Sequence, residues 1–185
     1  MSETSPAVVC IVGKKKSGKT TTAVGLVREL LARGHRVMSA KHGHAFEFDT
    51  AGTDSYRHRH EGGAHRVVMA GPEQVAVMGG WGEGGESSLE ELVSRYLADA
   101  DVVVAEGFKT SSFRKIEVFR RATHAEPFYG KEPDRDATYL AILTDVKDFR
   151  APVPVLDVDD PRRFVKLADL VEGSILAARQ LESGR

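Results

Sequence analysis

The segment Gly13-Lys-Lys-Lys-Ser-Gly-Lys-Thr20 fits the pattern G-x-x-x-x-G-K-[ST], and the sequence on both sides of it provides the setting that this pattern requires. The run Ala7–Val12 before it is short, apolar and β-branched, which is typical of a buried strand. A helix is indicated after it by apolar residues at spacings of three and four: Ala23, Leu26, Val27, Leu30 and Leu31. A glycine-rich turn between a strand and a helix directs backbone N–H groups at an anion. The sequence therefore predicts a phosphate-binding loop.

Each position of this loop has a chemical reason. The candidate phosphate-binding residues are Gly13, Ser17, Gly18, Lys19, Thr20 and Thr21. Lys19 is placed to reach the β- and γ-phosphates of a nucleotide as a mobile charge, and the Thr20 hydroxyl is placed to bind Mg²⁺.

The three lysines Lys14, Lys15 and Lys16 allow two interpretations. A run of charges is usually a solvated face, whereas cations within this loop also neutralise phosphates. Lys14 in addition matches a lysine that reaches the partner subunit's nucleotide in dimeric ATPases with deviant loops, although the neighbouring glycine of that pattern is absent.

Glu106 is the candidate acidic partner of Mg²⁺. It follows the apolar run Asp101-Val-Val-Val-Ala105, and ligands collect at the carboxyl ends of parallel strands. The alternative is a solvent-facing carboxylate with no role. Thr20 and Glu106 are thus the predicted metal ligands.

The order of the elements predicts an α/β fold. Strand and helix patterns alternate along the chain, which indicates a three-layer, P-loop NTPase-like architecture with a mostly parallel sheet and helices on both faces. Asp160-Pro161 is the expected start of the last helix. With 185 residues and no linker or repeat, the chain is predicted to be one nucleotide-binding domain over residues 1–185.

Composition excludes several classes of protein. The formal net charge is −1, from 26 Lys and Arg against 27 Asp and Glu, so nothing indicates a nucleic-acid or polybasic membrane binder. The single cysteine, Cys10, excludes an internal disulfide, and no apolar stretch approaches the length of a membrane span. A cytoplasmic location is expected.

Histidines and an aspartate follow the second predicted strand. Lys41, His42, His44 and Asp49 are predicted to form a loop that folds over the phosphates. A transition-metal site is the less favoured interpretation, because Ala45 stands where a third histidine would complete a ligand set.

Recognition of the base has two candidates. Asp145 follows a buried strand, and its carboxylate is able to accept hydrogen bonds from the N1 and N2 donors of guanine. Asp157 is a rival, and both residues are also explained as turn caps.

Ordered motifs along nearly the whole chain resemble the MobB family, molybdopterin-guanine dinucleotide biosynthesis protein B. They are Gly13–Thr22, Lys41-His-x-His44, Gly52-x-Asp-Ser-Tyr-Arg57, Gly63-Ala64, Glu106-Gly-Phe-Lys109, Lys115-Ile116, Thr144-Asp145 and Leu156-Asp157. The sequence departs from the family at Ala45, a frequent histidine, and at Thr53, a frequent lysine.

This resemblance implies a homodimeric GTP-binding protein with weak GTPase activity. It also implies a partner, the MobA-like guanylyltransferase that joins GMP to molybdopterin. Mg²⁺ and GTP are the expected ligands. No residue is an obvious base for the attacking water, so slow turnover is predicted. Two alternatives stay open: a small-molecule kinase with Asp49 or Asp54 as base, and a nickel-insertion GTPase suggested by the seven histidines.

Overall fold

Six parallel strands form the central sheet, in the order β2-β5-β1-β6-β7-β8. This computed structural model describes residues 5–43 and 49–176. The strands of the sheet are β1 (Ala7–Val12), β2 (Val37–Lys41), β5 (Val102–Glu106), β6 (Arg114–Phe119), β7 (Tyr139–Thr144) and β8 (Val155–Asp157). Strands β1, β5 and β7 are buried throughout, which explains why their sequences are continuous apolar runs rather than alternating ones.

Helices cover both faces of this sheet. On one face α1 (Lys19–Ala32) and α5 (Arg163–Val171) pack on Val9 and Ile11 of β1. On the other face α3 (Leu89–Tyr96) packs on Val8, Cys10 and Val12 of the same strand. The predicted three-layer α/β fold with a parallel sheet is confirmed.

The chain divides into two compact units, one formed by Met1–His42 and Leu89–Arg185 and the other by Gly43–Ser88. The second unit contains α2 (Asp54–His60) and an antiparallel hairpin of β3 (Arg66–Ala70) and β4 (Val75–Gly79). The hairpin's apolar side chains are largely exposed, among them Val68 and Val75. The prediction of one domain over residues 1–185 stays a prediction.

Some elements differ from the sequence-based expectations. The sequence pattern does not indicate β8, because three residues are too few to show a period, or α4 (Pro133–Asp136), a single polar turn. The last helix, expected from Asp160-Pro161, begins at Arg163 and continues into a π-helical turn, Glu172–Leu176. The Asp160 carboxylate accepts a hydrogen bond from the Arg162 N–H (2.7 Å), and its carbonyl accepts from the Arg163 N–H (3.0 Å). A turn therefore precedes the helix.

Within the described residues, no helix is both long enough and apolar enough to cross a bilayer.

Gly25 marks a close approach of α1 to α5. A Cβ at this position would lie 2.3–2.6 Å from ring atoms of Phe164. We expect Gly25→Ala to lower the free energy of unfolding by about 1–3 kcal/mol, since the ring must leave its position, despite the better helix propensity of alanine. Denaturant unfolding measures this change.

A double-mutant cycle isolates the cause of that loss. In a Phe164→Leu background the same substitution should cost clearly less, because the obstructing ring atoms are gone. An equal cost in both backgrounds would show that the ring is not responsible.

Candidate functional site

The Gly13–Thr20 loop joins β1 to α1 at the carboxyl end of the central strand. Its first glycine has φ +147°, and a Cβ there would lie 2.4 Å from the Val118 carbonyl oxygen of the neighbouring strand β6. Gly18, the N-cap of α1, has φ +103°. Both glycines are therefore required by the backbone, since side chains with a Cβ rarely adopt such angles.

The start of α1 is arranged as an anion site. Gly18 brings no capping side chain, and the first turn contains no acidic residue. The N–H groups of Lys19, Thr20 and Thr21 have no partner within the helix, because the first intrahelical bond runs from the Thr22 N–H to the Gly18 carbonyl (3.0 Å). By contrast, α2 is capped by Thr53 and begins with Asp54. The positive end of α1 is thus left for an anion.

A buried hydroxyl lies in the same loop. Ser17 is fully buried, and its Oγ has no hydrogen-bond partner among the described residues. A Cβ on Gly13 would lie only 2.7 Å from this oxygen. A buried hydroxyl without a hydrogen-bond partner lowers the stability of the fold. Such a hydroxyl is a candidate for a hydrogen bond with a ligand.

Lys19 turns back over the loop. Its Nζ donates a hydrogen bond to the Lys14 carbonyl (2.8 Å). Burial lowers the pKa of its ammonium below the ordinary value; the Glu106 carboxylate opposes this shift, and Lys41 adds to it. A partly desolvated ammonium forms a stronger hydrogen bond with a charged phosphate oxygen than with a neutral carbonyl, so exchanging the carbonyl for phosphate is favourable.

The side chains of Thr20 and Glu106, the predicted metal ligands, contact each other, and that they hold Mg²⁺ stays a prediction. The Thr20 hydroxyl donates to Glu106 Oε1 (2.9 Å), and the ammonium of Lys41 lies 3.0 Å from the same oxygen. The sheet causes this meeting, because Glu106 ends β5 between the partners Ile11 of β1 and Lys41 of β2. A hydroxyl and a carboxylate oxygen at this edge fit the hard oxygen ligands of Mg²⁺.

The turn after Glu106 packs on His42. Gly107 has φ +93°, and its N–H donates to the Ile11 carbonyl (3.0 Å). The His42 N–H donates to the Glu106 carbonyl (2.9 Å), and the His42 ring lies 5.4 Å from the Phe108 ring. Lys41 therefore contacts the Glu106 carboxylate, and His42 contacts the backbone of the same residue.

Two further predicted members of the phosphate-covering loop are His44 and Asp49. His44 lies outside the described residues. Asp49 belongs to the second unit, where its carboxylate accepts hydrogen bonds from Ser55 Oγ (3.1 Å) and Arg59 Nη1 (3.1 Å). That Lys41, His42, His44 and Asp49 cover phosphates stays a prediction.

The lysine run divides between two environments. Lys15 and Lys16 are exposed, whereas Lys14 is half-buried with its Nζ 5.8 Å from the centre of the Phe128 ring. Lys16 also has a positive φ of 64°. The exposed pair fits the solvated-face interpretation better than Lys14 does.

The segment after β6 contains residues that the sequence analysis did not select. A Cβ on Gly18 would lie 3.9 Å from Arg120 Nε, and His124 Nε2 donates to the Lys15 carbonyl (2.6 Å). These contacts arise because β6 is the sheet neighbour of β1. No local pattern around Arg120 or His124 could have revealed them.

Two buried charges stabilise the surroundings of the site. Lys115 Nζ donates to the carbonyls of Ser111 (2.6 Å) and Phe113 (3.0 Å) and to Thr138 Oγ1 (2.9 Å), and burial lowers its pKa. The Glu117 carboxylate accepts from the N–H groups of Phe128 (2.6 Å) and Tyr129 (2.9 Å), and burial raises its pKa. Both side chains fix the loops that flank β6, the sheet neighbour of β1.

The carboxylate of Asp145, a candidate for recognition of the base, is hydrogen-bonded to the backbone. Its Oδ1 accepts a hydrogen bond from the Arg121 N–H (2.8 Å). Asp157 ends β8, where its carboxylate accepts from the Asp159 N–H (3.0 Å) and forms an ion pair with Lys147. Among the described residues, no group of three or more His, Cys, Asp or Glu side chains is arranged to hold a metal ion.

The parallel sheet, with a glycine-rich loop leading from its central strand into a helix, defines the class: a P-loop NTPase-like α/β protein. A model of the family described as molybdopterin guanine dinucleotide synthesis protein B, MobB, matches residues 8–145. The chain therefore belongs to the MobB family, as the resemblance indicated.

Two curated relatives are both named molybdopterin-guanine dinucleotide biosynthesis adapter protein. The relative from Haemophilus influenzae is 32% identical over 168 residues, which is 88% of this chain and 85% of the relative. The relative from Escherichia coli K12 is 34% identical over 146 residues, 78% of this chain and 81% of the relative.

Solved structures show the same fold. A crystal structure of molybdopterin-guanine biosynthesis protein B has a TM-score of 0.67 at 26% identity, covering 90% of this chain and 98% of that one. MobB of Bacillus subtilis has a TM-score of 0.66 at 22% identity, covering 91% and 99%. The second likeness shows the fold alone.

Proposed function

We propose that this chain is a Mg²⁺-dependent GTP-binding protein with weak GTPase activity that assists the guanylyltransferase of molybdopterin guanine dinucleotide synthesis. The observation that carries the proposal is the hydrogen bond between Thr20 and Glu106 at the start of α1, in the loop over which the Lys19 ammonium is held. The adapter role is supported by the names of the two relatives. A homodimer and a MobA-like partner are part of the same proposal.

The donors of the loop support the proposal of triphosphate binding. The N–H groups that open α1, the Ser17 hydroxyl and the Lys19 ammonium are all donors, and an anion accepts from all of them. Thr20 and Glu106 would hold Mg²⁺, directly or through water; the bound cation would neutralise phosphate charge.

Hydrolysis is expected to be slow. In-line attack of water on the γ-phosphate needs a group that orients the water, in addition to electrostatic stabilisation. Lys19 supplies charge at the transferred group, but it does not orient a nucleophile. Rapid hydrolysis by the purified protein without a partner would contradict this view.

The alternatives gain less support. Asp49, a candidate base for a kinase, is occupied by Arg59 and Ser55. A nickel-insertion role would need a ligand cluster, and the described residues present none. Incubation with labelled GTP and candidate acceptors would reveal a kinase through a phosphorylated product.

Calorimetry with non-hydrolysable GTP and ATP analogues, with and without Mg²⁺, tests the nucleotide part of the proposal. A pull-down with the guanylyltransferase tests the adapter part. We expect GTP to bind more tightly than ATP, and we expect the folded chain, but not the heat-denatured chain, to retain the transferase. Absence of triphosphate binding would reject the proposal.

Glu106→Gln tests the metal site. We expect nucleotide affinity in Mg²⁺ to fall to the level measured without Mg²⁺, because a neutral amide attracts the cation far less than a carboxylate. Affinity without Mg²⁺ should be unchanged or slightly improved, since a negative charge near the phosphates is lost. Titrations in Mg²⁺ and in EDTA make the comparison.

The matched control is Asp99→Asn, which removes a carboxylate beside Arg36, just before β5 at the amino-terminal edge of the strands. It should leave both titrations as in the unmodified protein. If both variants lose Mg²⁺ dependence equally, Glu106 is not a metal ligand.

A further inference from the structure

Two lysines from different loops lie close to one aromatic ring beside the phosphate-binding loop. The Nζ atom of Lys14 is 5.8 Å from the centre of the Phe128 ring, and that of Lys109 is 5.5 Å from the same centre. Lys109 belongs to the connection that follows β5, and Phe128 to the one that follows β6. Because β5 and β6 are the two neighbours of β1, both connections leave the edge of the sheet at which ligands bind. Lys14, Lys109 and Phe128 are called the Phe128 site below.

The charges of these two ammoniums are not balanced by an ion pair. Among the residues that the structure describes, no carboxylate lies within ion-pair distance of Lys14 or Lys109. Glu126, an exposed acid two residues before the ring, pairs with Lys131 instead (2.8 Å). The buried Glu117 attracts Lys14 only from a longer distance. Two like charges near one ring repel each other, and an anion bound between them would turn this repulsion into attraction.

Strand β6 fixes both connections through two buried side chains, Lys115 and Glu117, each of which is 1% exposed. The ammonium of Lys115 donates to two carbonyls of the connection that carries Lys109. The Glu117 carboxylate accepts from the N–H groups of Phe128 (2.6 Å) and Tyr129 (2.9 Å). Burying a charge is unfavourable unless its hydrogen bonds are made, so both contacts are specific. The sheet therefore holds the ring and the turn with Lys109 in place.

We propose that the Phe128 site binds an organic phosphate monoester as a second ligand, beside the phosphate-binding loop. A phosphate monoester carries a charge of about −1.5 to −2 at pH 7, which suits two ammoniums better than the single charge of a carboxylate does. Ammonium groups form charge-assisted hydrogen bonds with phosphate oxygens. The half-buried ring of Phe128 offers an apolar surface to the organic part of the ligand. The inference goes beyond the proposed function, because it does not depend on which nucleotide the loop binds.

Lys14 connects the Phe128 site to the phosphate-binding loop. Its carbonyl accepts from the Lys19 ammonium (2.8 Å), whereas its own ammonium lies at the Phe128 ring. A second contact joins the same segments, since His124 Nε2 donates to the Lys15 carbonyl (2.6 Å). The two anion sites are therefore adjacent but use different ammoniums. We expect them to be occupied together, with the phosphate monoester next to the triphosphate.

The test is calorimetry with phenyl phosphate at pH 8, on the unmodified protein saturated with Mg²⁺ and a non-hydrolysable GTP analogue. The analogue fills the phosphate-binding loop, so that phenyl phosphate does not bind there. We expect saturable binding, and we expect phenyl sulfate, which has a single charge, to bind about 10-fold more weakly. Inorganic phosphate, which has no ring to contact Phe128, should also bind more weakly than phenyl phosphate. No saturable binding of phenyl phosphate, or equal binding of the sulfate, would overturn the inference.

Lys109→Gln removes one of the two ammoniums without altering the phosphate-binding loop. We expect the affinity for phenyl phosphate to fall about 10-fold, because one charge-assisted hydrogen bond is lost. Affinity for the GTP analogue and the thermal unfolding midpoint should stay unchanged, since Lys109 is exposed. The matched control is Lys131→Gln, which removes a nearby lysine that is paired with Glu126 and should change none of these quantities. An equal loss in both variants would indicate unspecific attraction and would overturn the site.

Other occupants of the Phe128 site are distinguished by the same titrations. If phenyl phosphate binds only when the GTP analogue is absent, both lysines serve a nucleotide, and the second ligand is rejected while the proposed function stands. Tighter binding of a triglutamate peptide than of phenyl phosphate would overturn the assignment to a phosphate monoester. Binding of phenyl phosphate that is lost in Lys109→Gln, by a protein that does not bind the GTP analogue, would support the inference and reject the proposed function alone.

Discussion

Lys19→Ala is expected to lower triphosphate affinity by about 100-fold while leaving the fold intact. The ammonium donates to the Lys14 carbonyl, so its removal frees a carbonyl at a half-exposed loop and opens no apolar core. In the complex the same group makes charge-assisted bonds to phosphate oxygens, each contributing about 1.5–3 kcal/mol. Calorimetry with a non-hydrolysable GTP analogue measures the affinity, and thermal unfolding checks the fold.

Arg36→Ala is the matched control for Lys19→Ala. It also removes one positive charge, but Arg36 precedes β2 at the amino-terminal edge of the strands and is paired with Asp99. Its affinity should stay close to that of the unmodified protein, because screening at physiological salt reduces interactions beyond about 8 Å. Unchanged binding by Lys19→Ala would remove the basis of the proposed function.

Gly13→Ala is expected to lower the free energy of unfolding by about 2–5 kcal/mol, combining backbone strain with steric overlap. The new methyl group would meet the Val118 carbonyl at 2.4 Å and Ser17 Oγ at 2.7 Å, at a φ of +147°. The carbonyl belongs to the buried strand β6 and has no room to retreat. Triphosphate binding should be lost together with stability, since the loop itself must shift. Denaturant unfolding and calorimetry give the two readouts.

Gly34→Ala is the control that separates backbone strain from the steric overlap of the new methyl group at Gly13. Gly34 also has a positive φ, +91°, but a Cβ there would meet no atom of the described residues within 4 Å. We expect a loss of about 1 kcal/mol and unaltered nucleotide binding. If the two alanine variants are equally destabilised, close approach at Gly13 contributes nothing.

The parts of the fold that the sequence predicts correctly are those with a strong local signal. The β-branched runs of β1 and β5 are buried on both faces of the sheet. Helix α1 has an apolar stripe that ends before Gly34. In each case the sequence pattern follows from which side chains are buried, so it predicts the element. Strand β8 has only three residues, which are too few for such a signal. It is recognised as a strand only by its pairing with β7.

The candidate site, too, has some residues that a local sequence pattern reveals and others that only the fold reveals. The Gly13–Thr20 pattern is contiguous, and Glu106 is recognisable as a carboxylate that ends an apolar run. Arg120 lies near Gly18 because β6 is the neighbour of β1 in the sheet. A local sequence pattern does not predict this strand order.

The strand order also bears on how the chain is made. Ala7 pairs with Val102, and Val9 pairs with Arg114, so β1 has neither of its neighbours until about 90 further residues have been synthesised. Long-range parallel pairing of this kind is slow and leaves apolar segments unprotected during synthesis. The nascent chain thus carries a wholly apolar strand unpaired until β5 emerges, and chaperone binding to that strand is most valuable in this interval.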